Sequence, residues 1–129
     1  MILLDTHVVV WLALDPTRLS SKARTAIIKA RHEDGLAISD ITLFELGTLT
    51  GKGRIRLSVS LESFLQEVEA RFVVLPISAL VCVAALRLPP VYPKDPADRI
   101  IGATAIVKGL PLITADRAIR GSKALDTVW

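Results

Sequence analysis

Five short apolar runs, none of them alternating with polar residues, restrict this chain more than any other feature of its sequence. They are residues 2–4, 36–38, 72–75, 111–114 and 127–129, and between them lie longer stretches whose apolar residues recur at helical spacing. A run of about four apolar residues is short for a helix and lacks the polar side of a surface strand. Such strands are expected to be buried on both faces. Parallel neighbours also need crossover connections, which the helical stretches supply. The pattern predicts an α/β fold in three layers, a central and mostly parallel sheet with helices on both sides.

Thr6 is expected to cap a buried helix over residues 8–14. Ser20-Ser21 opens one that runs to Arg31, with Ala23, Ala26, Ile27 and Ala30 inward, before Asp34-Gly35 turns the chain. Ser39 caps a helix carrying Ile41, Leu43, Phe44, Leu46 and Leu49, which Gly51-Lys52-Gly53 ends. Ser60 starts another to about residue 70, and Ser78 one through Leu86 that Pro89-Pro90 terminates. The last clear helix has Asp95 as N-cap, Pro96 at its favoured first position and Gly109 as its stop. A length of 129 residues with no repeat or linker reads as one domain, residues 1–129.

Hydrophobic residues make up 51% of the chain and the mean hydropathy is +0.49, which excludes a disordered protein and leaves apolar surface for a subunit or partner interface. The single cysteine, Cys82, lies in the apolar run of residues 79–86 and is expected to be a small core residue. A lone cysteine fits a reducing cytoplasm. The apolar start lacks the basic flank of a signal peptide, and no apolar stretch reaches the roughly 20 residues that cross a bilayer. A net charge of +3 and a pI of about 9.4 weakly favour a polyanionic partner.

The acidic residues carry more information. Asp5 closes the first predicted strand and Asp116 follows the fourth, so both fall at carboxyl ends of parallel strands, where open α/β sheets bind ligands. Glu45 lies two turns into the helix leaving the second strand, and Asp98 lies in the first turn of the helix capped by Asp95. Carboxylates converging in one cleft repel and demand a compensating cation. Oxygen donors select Mg²⁺ or Mn²⁺, whereas His7, His32 and Cys82 have no zinc-ligand spacing. A divalent ion held there can acidify a bound water and stabilise charge building on phosphorus, which is nuclease chemistry without a nucleophilic side chain. Thr6 and Thr114 offer hydroxyls to the water or phosphate, or serve as turn and cap groups.

Four blocks resemble a known family. Residues 1–7 (Met-Ile-Leu-Leu-Asp-Thr-His) followed by Trp11, residues 39–46 (Ser-Asp-Ile-Thr-Leu-Phe-Glu-Leu), residues 94–105 (Lys-Asp-Pro-Ala-Asp-Arg-Ile-Ile-Gly-Ala-Thr-Ala) and residues 112–116 (Leu-Ile-Thr-Ala-Asp) look like the signature blocks of the VapC-like PIN-domain toxins of type II toxin–antitoxin systems, in family order. The resemblance implies a PIN-like fold, Mg²⁺- or Mn²⁺-dependent RNA cleavage, homodimers and possible higher toxin–antitoxin assemblies, and inhibition by a VapB-like antitoxin. The family's metal-holding acids fall on Asp5, Glu45, Asp98 and Asp116, and its auxiliary hydroxyls on Thr6 and Thr114. Asp95 is assigned mainly a capping role.

Each acid alone has a plain explanation: a cap for Asp5, a helix-dipole residue for Asp98, a solvated face for Glu45, a turn for Asp116. All four explanations must hold at once to remove the site. Arg99 reads as structural, Trp11 and Trp129 as core or interface, and His7 as a packed or hydrogen-bonded side chain outside the catalytic set. Lys52, Arg54 and Arg56 form a basic strip that suits either RNA backbone or a solvated loop. Two other functions fit parts of the pattern: a phosphatase or phosphotransferase with Asp5 as covalent nucleophile, though His7 stands where a second acid is usual, and a PIN-like module that binds RNA or a partner without cutting.

Overall fold

The apolar strands pair as their lack of alternation requires. In a computed structural model that describes all residues from Met1 to Trp129, β1 (Ile2–Leu4), β2 (Leu36–Ser39), β3 (Val73–Leu75), β4 (Leu112–Ile113) and β5 (Thr127–Val128) form one wholly parallel sheet. Its order is β3-β2-β1-β4-β5. Successive side chains of each strand enter opposite cores. Ile2, Leu4, Leu36, Ile38 and Ile113 belong to one buried cluster; Leu3, Ala37 and Leu112 belong to another.

Helices α1 (Thr6–Leu14), α2 (Ser21–His32), α3 (Asp40–Gly51) and α4 (Leu61–Arg71) cover the first face through Val8, Val9, Ile27, Leu46 and Val68. The second face is covered by α6 (Pro96–Lys108) and α7 (Arg117–Ser122) through Ile101, Ala105 and Ile119, with α5 (Ala79–Leu86) packed on α6 by Val81, Ala85 and Ala103. From β1 the chain moves outward to β2 and β3, then returns to place β4 on the other side of β1. The strand order therefore switches between β1 and β4, and their carboxyl ends open a crevice where parallel sheets bind ligands.

Ser20, Ser39, Ser60, Ser78 and Asp95 cap their helices, as their sequence positions predict. The cap of α1 differs from expectation. Asp5 rather than Thr6 holds it, its Oδ1 accepting from the Thr6 N–H at 2.9 Å, so the helix begins directly at the strand end. A carboxylate satisfies an orphan N–H and sits well at the positive end of the helix, which leaves the Thr6 hydroxyl free for another use. Cys82 also departs from expectation, being exposed. Only the Val81 and Ala85 side of α5 meets α6, and the next residue is turned outward by about 100°. Leu80 and Leu86 are open to solvent for the same reason.

One contact in the second core governs how α6 is seated. The buried Tyr92 donates its hydroxyl to the carbonyl of Asp98 at 2.9 Å, and its ring fills the space beside Gly102. A Cβ at residue 102 would collide with the Tyr92 hydroxyl and ring. Helix propensity alone favours Gly102→Ala by up to about 1 kcal/mol, but overpacking costs about 1–3 kcal/mol, so the variant is expected to lose stability in urea unfolding. The loss should shrink when the same change is made in Tyr92→Phe protein. Equal losses in both backgrounds would place the strain elsewhere.

Candidate active site

The crevice gathers carboxylates from four parts of the chain. Asp5 is buried at the end of β1, Glu45 projects from α3, Asp98 from the first turn of α6, and Asp116 caps α7 just beyond β4, accepting from the Ile119 N–H at 3.0 Å. Two threonines join three of these acids. The Thr6 hydroxyl donates to Glu45 Oε1 at 2.5 Å while its backbone N–H binds Asp5 Oδ1. The Thr114 hydroxyl donates to Asp5 Oδ2 at 2.7 Å and accepts from the Asp116 N–H at 3.1 Å. The result is a continuous chain from Glu45 through Thr6, Asp5 and Thr114 to Asp116.

Thr42, which sequence reasoning missed, extends it. Its buried hydroxyl lies 3.1 Å from that of Thr6, and because the Thr6 proton goes to Glu45, Thr42 must be the donor. Thr42 stands one turn before Glu45 on α3, so helical spacing could have found it. Tyr92 was also missed, since it acts through the backbone of Asp98 and no spacing rule reveals that. Asp95 binds the Ala97 N–H at 3.2 Å, in keeping with its capping role. Arg99 donates to the carbonyls of Ala85 and Tyr92, tying the end of α5 to α6.

His7 holds the other rim. Its Nε2 accepts from the Ala115 N–H at 3.0 Å, which puts the ring proton on Nδ1, 3.5 Å from Asp5 Oδ2. Burial lowers its pKa despite the attraction of Asp5 and Asp116, with Arg18 adding to the fall. His7 is therefore neutral near pH 7, and its approach to Asp5 is a polar contact rather than an ion pair. Lys52, Arg54 and Arg56 are all exposed on the segment after α3. Arg56 lines a groove of about 430 Å³ with Val9, Leu12, Phe64, Arg31 and Arg71, none of which is among the four acids.

A family model described as PIN domain matches residues 2–122. The chain belongs to the PIN-domain family. It is 41% identical to ribonuclease VapC22 of Mycobacterium tuberculosis over 99% of its own length and 98% of the relative. Among solved structures, VapBC2 from Rickettsia felis bound to a promoter DNA fragment shares the fold with a TM-score of 0.73 at 20% identity, covering 98% of this chain and 97% of that one. A toxin–antitoxin complex from Klebsiella pneumoniae does so with 0.69 at 23% identity, over 100% and 97%.

In this PIN domain the acids sense one another. Burial raises the pKa of Asp98 to about 7 from its ordinary 3.8, and Asp5, Asp95, Glu45 and Asp116 push in the same direction. Glu45 is also raised, chiefly by burial and further by Asp5 and Asp95, with the Thr6 hydrogen bond opposing. No three His, Cys, Asp or Glu side chains stand close enough to grip one ion together as they lie. The donors are nonetheless all oxygens, in an arrangement whose repulsion a cation would relieve. That set suits Mg²⁺, which keeps several waters and takes only one or two protein carboxylates directly.

The raised Asp98 has a measurable consequence for stability. Between about pH 4 and about pH 7 the folded protein holds a proton on Asp98 that the unfolded chain has released. Stability from this group is thus complete below pH 4 and lost as pH rises through 7. In chelator, melting temperatures should fall from pH 5 to pH 8, and Asp98→Asn should flatten the decline. A variant as steep as the parent would show that Asp98 is not the group being titrated.

Proposed function

We propose that this PIN domain is a metal-dependent endoribonuclease, the toxin of a VapBC-like toxin–antitoxin pair, working in the cytoplasm. The observation that carries this reading is the hydrogen-bonded chain that joins Glu45, Asp5 and Asp116 through Thr6 and Thr114 at the strand ends, with Asp98 in the first turn of α6 as the fourth acid. The ribonuclease name of the 41% identical relative and the toxin–antitoxin titles of the structural neighbours support the same class. Mg²⁺ or Mn²⁺ is the ion these oxygen donors fit, and when bound it supplies an acidified water and charge compensation for phosphodiester hydrolysis.

The chain's own residues do the rest. Asp5 and Glu45 are oriented by hydrogen bonds from Thr6 and Thr114, so these two acids are positioned before the site fills. His7 and Thr114 pin the turn that carries Asp116. Tyr92 fixes the backbone of Asp98 from below. An antitoxin that masks the crevice with an Arg or Lys would place a cation where these acids need one. The reading includes a homodimer and, with the antitoxin, a higher assembly. No helix is long and apolar enough to cross a membrane.

RNA cleavage should stop in chelator and return with Mg²⁺ or Mn²⁺. Asp5→Asn should abolish cleavage and growth inhibition while RNA binding persists, and Thr114→Val, which frees the Asp5 carboxylate to turn, should lower activity by about 10- to 100-fold. Cleavage that continued in chelator would reject the mechanism. A trapped aspartyl-phosphate on Asp5 would favour the phosphotransferase instead, and undiminished growth inhibition by Asp5→Asn would favour a binding module that does not cut.

A further inference from the structure

Trp11 does more than the core or interface role that its sequence surroundings suggest. It packs partly against the first core, but its indole is also the centre of a basic-aromatic cluster at the site rim. His7 meets it edge-on with ring centroids 4.9 Å apart, Trp129 lies at 5.7 Å, and the guanidinium carbon of Arg18 sits 4.4 Å from its centroid. A chain of contacts thus runs from Arg18 through Trp11 and His7 to Asp5, with His7 Nδ1 3.5 Å from Asp5 Oδ2.

Arg18 has the properties of a prepared anion ligand. A guanidinium lying on an aromatic face keeps its N–H groups in its own plane, directed outward in the fork that matches phosphate oxygens. The residue is exposed and takes part in none of the chain's ion pairs. Its backbone is fixed as well. It ends a 3-10 turn, Pro16–Arg18, that begins with a proline and is followed at once by the buried Leu19.

A polyanion needs such a group here. The four acids repel RNA, and the basic strip of Lys52, Arg54 and Arg56 lies on a different segment, the one after α3. We propose that Arg18, clamped on Trp11, is a phosphate-binding residue that seats the RNA backbone on the α1 side of the carboxylate crevice. This rests on the ribonuclease reading for its substrate, but not on the cleavage step.

The test measures binding apart from cutting. A labelled single-stranded RNA is titrated with Asp5→Asn protein at several salt concentrations, alone and combined with Arg18→Ala, Arg18→Lys or Lys29→Ala, the last altering the far end of α2. Arg18→Ala should weaken binding by about 10-fold at low salt and reduce the log–log salt slope by about 0.7, the value for one phosphate contact on a single strand. Arg18→Lys should keep the slope but bind less tightly than the parent, because an ammonium lacks the stacked fork. In protein with Asp5 intact, Arg18→Ala should raise KM and leave kcat unchanged, a split that a merely structural role would not give. An unchanged slope, or an equal loss from Lys29→Ala, overturns the proposal, as it would if Arg18 instead served an acidic protein partner. Parent protein that binds RNA without cutting it rejects the proposed reaction, while the slope still judges Arg18. Asp5→Asn protein with no measurable RNA affinity overturns both.

Discussion

The hydrogen bond from Thr114 to Asp5 spans 109 positions of sequence and is buried at the point where the strand order reverses. Much of the site depends on it. With the Asp5 backbone N–H bound to the Ile113 carbonyl, it locks the end of β1 to the end of β4. It also leaves Asp5 with only one useful orientation, since the other oxygen is engaged by the Thr6 N–H. Three acids then inherit their positions from two threonines, each of which follows directly on a strand or an acid at a strand end. A carboxylate so constrained cannot turn away from its neighbours, and its repulsion adds to the burial that chiefly raises the proton affinity of Asp98 and Glu45.

Two cores are needed to hold such an arrangement. The first, under α1 to α4, fixes Asp5, Thr6, Thr42 and Glu45; the second, under α6 and α7, fixes Asp98 and Asp116. The crevice is the seam between them. A strand that contributes Leu4 to one core and Leu3 to the other makes the two layers a single rigid support. Tyr92 belongs to the second core yet binds the carbonyl of Asp98, so packing there is coupled to the placement of an acid. The close fit of its ring to Gly102 explains why a residue with poor helix propensity occupies the middle of α6.

The elements were legible in the sequence because burial and capping leave local marks. Residues 2–4 and 36–38 have apolar side chains throughout, and a strand with a core on each side needs that. Serine or aspartate precedes every long helix after α1. The places of Asp5, Asp98 and Asp116 at strand and helix ends, and of Glu45 inside α3, were legible from the same local marks. What escaped was tertiary. Nothing local says that the Tyr92 hydroxyl reaches Asp98, that Cys82 lies on the open side of α5, or that Arg18 folds back over Trp11. A capping carboxylate and a site carboxylate also look alike in sequence, and Asp5 and Asp116 are each both.

That double use follows from helix physics. A helix start offers free N–H groups and a partial positive charge, and both favour a carboxylate at the cap. At Asp5 and Asp116 one oxygen accepts from an N–H of the following helix, so each acid closes its helix as well as facing the crevice. Asp98 sits within the first turn of α6, whose cap is already occupied by Asp95, and Glu45 sits beyond the first turn of α3. Burial raises the proton affinity of both, and their acidic neighbours add to it. The fold thus ties Asp5 and Asp116 into the backbone at helix starts, while Glu45 and Asp98 stand where burial rather than a cap governs their proton affinity.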